Sequence, residues 1–220
     1  MKINQIVIFG CTQFSQMIAD YIEKEDKYEI AAYSINRAYI TDKICGGKPV
    51  VPYEDLELLY PPEKYLLLLA VGYQGMNQLR EKVYFDAKRK GYEIYTYIHP
   101  TAYLMREQVG EGCIVLEQVK IGYKSKLGKC NILFTGACIN HHSMVGDFNY
   151  FSPESVLSGN VQVGNHCMFG TNCTIRDAVE IADYTLVGAG AYISNDTKEN
   201  EVYVPARTVC LDKSSLEIEI

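Results

Sequence analysis

The chain lacks an excess of positive charge. Its 21 Lys and Arg residues face 27 Asp and Glu residues, which gives a formal net charge of −6. Proteins that bind nucleic acid neutralise phosphates with clustered Lys and Arg, and attachment to anionic membrane surfaces also needs basic clusters. We therefore expect neither nucleic acid nor an anionic membrane surface as a partner.

Long apolar runs and paired cysteine motifs are also missing. The apolar run at residues 65–71 is far shorter than the roughly 20 residues of a membrane-spanning helix. The N-terminus carries no apolar segment with a small-residue cleavage site. The eight cysteines form neither CxxC nor zinc-ribbon spacings. We expect a cytoplasmic protein without membrane insertion, with reduced thiols and without a metal.

What the sequence does have is a six-residue repeat in its second half. Every sixth residue is aliphatic or Phe: Val109, Val115, Ile121, Leu127, Leu133, Ile139, Val145, Phe151, Leu157, Val163, Phe169, Ile175, Ile181, Val187 and Ile193. Four residues after each of these stands an uncharged residue that is never large, from Cys113 to Thr197. The residue directly after the apolar one is often Gly, as at Gly122.

A period of six fits neither a helix nor a simple strand alternation. It suits short strands joined by tight corners, with one large side chain per strand inside a triangular coil. Stacked coils pair through main-chain hydrogen bonds, and Gly and Asn serve corners with unusual backbone angles. Fifteen turns without an insertion predict five coils of a parallel β-helix.

The first 98 residues follow a different pattern. Apolar segments typical of buried strands lie at residues 6–10, 29–34, 65–71 and 93–98, and helices begin near Thr12 and Asn77. This alternation predicts a Rossmann-like α/β domain over residues 1–98. Gly10 follows the first strand, but the GxGxxG motif of dinucleotide sites is absent.

The repeat resembles that of the left-handed parallel β-helix acyltransferases. Together with the preceding α/β domain and the segments Val71-Gly72-Tyr73 and His99-Pro100-Thr101-Ala102, it resembles the sugar O- and N-acyltransferases. These include the sialic acid O-acetyltransferases and the bacterial UDP-4-amino-sugar N-acetyltransferases. The resemblance implies a β-helix acyltransferase domain at residues 99–200, a C-terminal tail at 201–220, a homotrimer, and a first domain that binds a nucleotide-linked sugar.

Acetyl transfer needs a base near neutrality, and histidine supplies one. The repeat places His141 and His142 two and three residues after Ile139, at positions that point away from the core. His141 matches the family's catalytic base. His142 stands where the family has an acidic residue, and we expect it to orient His141 by a hydrogen bond.

The resemblance also implies contacts for both substrates. Acetyl-CoA is the expected co-substrate, and the expected contact residues are Tyr150, Gly159, Thr171, Gly188 and Ala189. Gly10, Gly72 and Phe134 are the expected contacts of the sugar or nucleotide-sugar acceptor. The identity of the acceptor, transfer to nitrogen or oxygen, and the size of the acyl group stay open.

Two other functions fit the same repeat. A γ-carbonic-anhydrase-like zinc enzyme needs three histidines between subunits, but Thr171 stands where the H-x4-H spacing after His166 requires the third. A non-catalytic trimeric scaffold is the other alternative. The outward histidine pair and the α/β domain favour the acyltransferase over both.

Overall fold

The structure, a computed structural model, describes residues 4–105 and 108–210 together with Asp212 and Leu216. Its first part alternates strands and helices, as the sequence predicts. The elements are β1 (Gln5–Phe9), α1 (Gln13–Lys24), β2 (Glu29–Ile35), β3 (Ile44–Cys45), β4 (Lys48–Pro52), α2 (Leu56–Leu59), β5 (Leu66–Leu69) and α3 (Gln78–Arg89), with 3₁₀ turns at Arg37–Tyr39 and Tyr53–Asp55. Within the described ranges, no helix has the length and apolarity needed to cross a membrane.

Five strands form the N-terminal sheet in the order β3-β4-β2-β1-β5, and all pairs are parallel except β3 with β4. Thr12 starts α1 because its side-chain oxygen accepts a hydrogen bond from the backbone N–H of Ser15, which satisfies a free amide of the first turn. The sequence pattern does not predict β3 and β4. Pro49 and Pro52 in β4 remove backbone donors, and such residues obscure a strand signal.

The segment predicted as one strand at residues 93–98 belongs to two sheets. Ile94 forms a parallel bridge with Leu67 of the N-terminal sheet. A few residues later, β6 (Tyr97–Ile98) pairs with Ile114–Val115 in the second part of the chain. The chain therefore passes from one sheet directly into the other.

The second part is a parallel β-helix with strands of two residues. These strands are β7 (Ile114–Val115), β8 (Lys120–Ile121), β9 (Lys126–Leu127), β10 (Ile132–Leu133), β11 (Cys138–Ile139), β12 (Met144–Val145), β13 (Tyr150–Phe151), β14 (Val156–Leu157), β15 (Gln162–Val163), β16 (Met168–Phe169), β17 (Thr174–Ile175), β18 (Glu180–Ile181), β19 (Leu186–Val187), β20 (Tyr192–Ile193) and β21 (Val202–Tyr203). Ile132 pairs with Tyr150 and Cys138 with Val156, so one coil takes 18 residues.

The stacked coils form a prism with three faces. Face 1 consists of β6, β7, β10, β13, β16, β19 and β21; face 2 of β8, β11, β14, β17 and β20; face 3 of β9, β12, β15 and β18. The chain turns between faces at three edges, which we name edge 1/2, edge 2/3 and edge 3/1. Residues 18 apart occupy equivalent positions on the same edge in successive coils.

The two predicted registers fill the inside of the prism. Every apolar position from Val115 to Ile193 is exposed by 6% or less, and every small position from Cys113 to Thr197 by 9% or less. The rings of Phe151 and Phe169 stack with centroids 4.4 Å apart. The predicted core positions from Val115 to Ile193 are therefore confirmed, whereas Val109, the first predicted position, is half-buried and packs against this core.

Glycine was expected at the corners with unusual backbone angles, but most of these corners carry other residues. A left-handed backbone recurs every six residues, mostly at residues with side chains such as His142 (φ 59°) and Tyr184 (φ 58°). The glycines that directly follow the apolar positions instead allow the coils to approach each other. A β-carbon on Gly122, for example, would lie 2.8 Å from the backbone nitrogen of His141.

The N-terminal domain covers face 1 of the prism. Ile132 and Tyr150 of face 1 share a buried cluster with Ile18 of α1 and Leu68 of β5. On the other side of the N-terminal sheet, Phe148 at edge 3/1 packs in a cluster with residues of α3. These two clusters leave edge 2/3 as the edge opposite the N-terminal domain.

A buried cation joins α3 to the prism. Arg80 is fully buried, and burial lowers the pKa of its guanidinium to about 10, so the group stays protonated at neutral pH. It donates hydrogen bonds of 2.8–3.1 Å to the carbonyl oxygens of Val71, Gly72, Cys130, Phe148 and Asn149 and to Oδ1 of Asn77. Asn77 in turn donates from Nδ2 to the carbonyl oxygen of Cys167. One side chain thus ties the loop after β5 to adjacent coils at edge 3/1.

Replacing Arg80 tests this connection. We expect Arg80→Met to lower the free energy of unfolding by about 3 kcal/mol or more, because buried carbonyl oxygens lose their charged donor. Lys82→Met on the exposed face of α3 is the matched control and should change stability by less than about 0.5 kcal/mol. Denaturant unfolding measures both, and equal stability of the two variants would contradict the assigned role of Arg80.

Candidate active site

Edge 2/3 carries the two adjacent histidines that the sequence singles out. Ile139 ends β11 with its side chain in the core, and Ser143 buries its side chain after the turn. Between them His142 adopts the left-handed backbone, and its N–H donates to the carbonyl oxygen of Tyr123. The imidazoles of His141 and His142 consequently lie on the outside of the prism, and both are exposed.

The two imidazoles contact each other. Nδ1 of His141 lies 3.2 Å from Nδ1 of His142, and the ring planes meet at 79°. One ring donates the proton of this bond and the other accepts it. When His141 donates, its Nε2 keeps a free lone pair, which is the form that a general base needs. His142 orients this ring by a hydrogen bond and, as a neutral imidazole, brings no negative charge.

Gly159 provides the space that the His141 ring occupies. It lies at edge 2/3 one coil beyond His141, and its backbone is not left-handed. A β-carbon at this position would lie 2.7 Å from Nε2 of His141, closer than non-bonded carbon and nitrogen atoms approach. The absence of a side chain at Gly159 therefore leaves the space in which Nε2 lies.

Gly10 and Gly72 lie at the carboxyl end of the N-terminal sheet, where open α/β folds bind their ligands. Gly10 has a φ of 123°, and a β-carbon there would lie 2.6 Å from the carbonyl oxygen of Ala70. No atom lies within 4 Å of the place where a β-carbon of Gly72 would be. Gly10 is thus required by the fold, whereas Gly72 leaves open space beside the sheet.

A row of aromatic rings connects this end of the sheet to the prism. Phe14 of α1 stacks on Phe134 at edge 1/2, with centroids 5.4 Å apart. Phe134 contacts Tyr150 on face 1, and Tyr150 contacts Tyr73, at 5.4 and 5.1 Å. Burial raises the pKa of the Tyr150 hydroxyl to about 12, so this hydroxyl stays a hydrogen-bond donor at neutral pH.

Three further predicted contact residues lie at edge 1/2 in later coils. Thr171 and Ala189 are exposed and Gly188 is half-buried. The carbonyl oxygen of Thr171 accepts a hydrogen bond from the N–H of Gly190, so the two coils stay in register. Thr171 and Ala189 are therefore accessible at this edge, whereas the N–H of Gly188 donates to the carbonyl oxygen of Tyr203 in the last strand.

The predicted site residues therefore form two groups on one chain. His141, His142 and Gly159 lie at edge 2/3. The other group lies at edge 1/2, on face 1 or at the end of the N-terminal sheet, and consists of Gly10, Gly72, Phe134, Tyr150, Thr171, Gly188 and Ala189. Face 2 separates the two groups, and the N-terminal domain and His141 lie on opposite sides of the prism.

His166, which would be a ligand in the zinc alternative, belongs to neither of these groups. It is buried at edge 3/1, where its ring stacks between Phe148 and Tyr184 with centroids 5.4 and 4.7 Å away. Its Nε2 lies 3.5 Å from Oε2 of Glu81. Among the residues that the structure describes, no three His, Cys, Asp or Glu side chains are grouped as metal ligands.

The core cysteines have the properties of packed thiols. Cys113, Cys167 and Cys173 are fully buried, and burial raises the pKa of each thiol to about 12. Because the thiolate is the nucleophilic form of cysteine, these protonated thiols are poor nucleophiles at neutral pH.

The sequence reasoning did not identify Phe14 and Tyr73 as part of the second group. Phe14 follows the helical periodicity of α1 and reads as a core residue, whereas its ring lies against Phe134. The ring of Tyr73 is half exposed and lies against Tyr150. An aromatic residue near a domain border gives no sequence signal for its partner in the other domain.

Comparison with known proteins gives matches in both parts of the chain. Residues 5–87 match the family model of the PglD N-terminal domain. Residues 160–195 match the family model described as bacterial transferase hexapeptide (six repeats). The acetyltransferase domain of PglB from Neisseria gonorrhoeae is 25% identical; the match covers 90% of this chain and 95% of that one, with a TM-score of 0.81.

Two further solved structures match most of the chain. PerB from Caulobacter crescentus, in complex with CoA and GDP-perosamine, is 27% identical over 91% of this chain and 94% of that one, with a TM-score of 0.81. WeeI from Acinetobacter baumannii shares the fold at 18% identity. The match covers 91% of this chain and 96% of that one, with a TM-score of 0.66. These matches confirm the fold class, an α/β domain followed by a left-handed parallel β-helix, and the resemblance to the hexapeptide-repeat sugar acyltransferases.

The space at Gly159 gives a direct test of the His141 geometry. We expect Gly159→Ala to displace the His141 ring and to lower kcat of the acetyl transfer expected from the sequence about tenfold or more, because misplacing a reacting group is costly. The melting temperature should stay close to that of the wild type, since the backbone of Gly159 suits any residue. Unchanged kcat in the variant would show that the ring position is not required.

Proposed function

We propose that this chain, which joins a PglD-type N-terminal domain to a hexapeptide-repeat β-helix, transfers an acetyl group from acetyl-CoA to a nucleotide-linked sugar. The observation that carries the proposal is His141, exposed at an edge of the β-helix with Nδ1 engaged by His142. The similarity of nine tenths of the chain to the PglB acetyltransferase domain supports it.

The imidazole of His141 acts as the general base. The acceptor nitrogen or oxygen attacks the thioester carbon of acetyl-CoA while Nε2 takes the acceptor proton. The carbon–sulfur bond then breaks, and the imidazolium gives this proton to the CoA sulfur. His142 holds the ring through Nδ1, so that Nε2 faces the reacting atoms throughout.

The second group of residues supplies the binding surfaces. The exposed residues Thr171 and Ala189, with Gly188 beside them, border the place for the pantetheine arm of CoA at edge 1/2, and Tyr150 offers a hydroxyl donor. Gly10, Gly72 and Phe134 border the place for the acceptor at the end of the N-terminal sheet. PerB, a relative of this chain, binds both CoA and GDP-perosamine, which supports a nucleotide-linked acceptor here.

A complete site requires a second copy of the chain. Because His141 lies on the side of the prism opposite the N-terminal domain, an acceptor held by that domain is distant from the His141 of the same chain. Three-fold packing of the prisms would bring edge 2/3 of one copy against edge 1/2 of its neighbour. The proposed enzyme is accordingly a homotrimer.

Substitution of His141 tests the proposed chemistry. We expect His141→Ala to lower kcat about 10²- to 10⁴-fold, since the variant loses its general base. The dissociation constant of acetyl-CoA, measured by calorimetry, should change little. The assay follows CoA release by chromatography with a panel of GDP- and UDP-linked 4-amino sugars and their hydroxyl analogues.

His99→Ala is the control, because its imidazole packs against Tyr21 of α1 in the first coil, two coils before Phe134, and it should keep the wild-type rate. A wild-type protein that binds no acetyl-CoA at millimolar concentration would overturn the proposal and favour the scaffold alternative. Acetyl transfer that survives in His141→Ala would overturn only the role of the histidine.

A further inference from the structure

Asp177 lies close to Nε2 of His141. Residues 141, 159 and 177 are 18 apart and therefore occupy the same position of edge 2/3 in three successive coils. A β-carbon on Gly159 would lie 2.7 Å from Nε2 of His141 and equally 2.7 Å from Oδ1 of Asp177. The imidazole nitrogen and the carboxylate oxygen are therefore no more than twice that distance apart.

Main-chain pairing holds these three positions in line. The N–H of Asn160 donates to the carbonyl oxygen of His141 at 2.9 Å, and the N–H of Ala178 donates to that of Gly159 at 3.0 Å. Because Gly159 has no side chain, nothing of its own stands between the imidazole below it and the carboxylate above it. The coil spacing thus brings a carboxylate of a distant coil to the histidine.

The two nitrogens of His141 have different neighbours. Nδ1 faces His142, a second imidazole that carries no negative charge when it is neutral. The carboxylate of Asp177 lies near Nε2, across the space left by Gly159, and makes no hydrogen bond to it. When Nε2 takes a proton, the ring becomes positive, and a nearby carboxylate stabilises this charge. The attraction increases when a second chain covers edge 2/3 and removes water from both groups.

We propose that Asp177 is the residue that stabilises the protonated form of His141, in place of the carboxylate that His142 does not provide. This inference rests on the proposed acetyl transfer and assigns a further residue to it. Asp177 acts through His141 and is a positioning residue: it neither takes the proton nor touches the thioester.

A purely structural role for Asp177 is less well supported by its contacts. At edge 3/1, Asp147 and Asp183 each accept a hydrogen bond of 2.7 Å from a backbone N–H of the preceding coil. Asp177 instead accepts a long one of 3.5 Å, from the side chain of the exposed Asn160. Its carboxylate is therefore available to interact with His141.

The test removes the negative charge of Asp177 and then restores a negative charge on the other side of the His141 ring. Asp177→Asn should lower kcat about 10- to 100-fold, as expected for loss of a close charge at a developing cation, with the KM for acetyl-CoA almost unchanged. His142→Asp in the same chain places a carboxylate at Nδ1 of His141. The double variant should recover most of the lost kcat, because the charge is restored on the other side of the ring.

Asp183→Asn is the matched control, since it removes the same charge at edge 3/1, away from His141, and should keep the wild-type kcat. The assay uses the acceptor from the panel that the wild-type protein acetylates. Full activity of Asp177→Asn, or a double variant no faster than Asp177→Asn, would overturn the role of Asp177 and leave the acetyl transfer intact. A wild-type protein inactive with every acceptor would overturn the proposed function and this inference together.

Discussion

Residues 18 apart lie directly above one another in the β-helix, because each coil pairs in register with the next. This constraint determines the rest of the structure. It puts one large and one small residue from every turn inside the prism, so the core continues from coil to coil. It also fixes what lies outside. Three residues from three different coils, His141, Gly159 and Asp177, meet on one edge only because two coil lengths separate the first from the last.

The position of the N-terminal domain on face 1 is the second determinant. Arg80 reaches carbonyl oxygens of two coils at once, and its buried charge makes any other arrangement of α3 costly. With face 1 covered, edge 2/3 is the edge that faces away from the domain. The separation of His141 from Gly10 and Gly72 follows from this geometry, and it is the reason that the proposed reaction depends on contact between chains.

Much of this arrangement could be predicted from the sequence, because the repeat is a local signal that recurs. The core from Val115 to Ile193, the outward position of His141 and the start of α1 at Thr12 all follow from spacing and residue type. Contacts between the two domains could not be predicted from the sequence. Phe14 and Tyr73 meet prism residues through a docking geometry that no local pattern contains, and β4 is obscured by its prolines. Asp177 is an intermediate case: adding 36 to 141 gives its position, but the relevance of that position depends on the missing side chain of Gly159.

The proposed reaction requires two copies of the chain to share one site, and a crystal structure of the protein with CoA tests this arrangement. We expect a three-fold assembly in which CoA lies between neighbouring prisms, with its thiol beside Nε2 of His141 from one copy and its pantetheine arm along Thr171, Gly188 and Ala189 of the next. CoA bound within a single chain, or bound away from His141, would rule out the shared site.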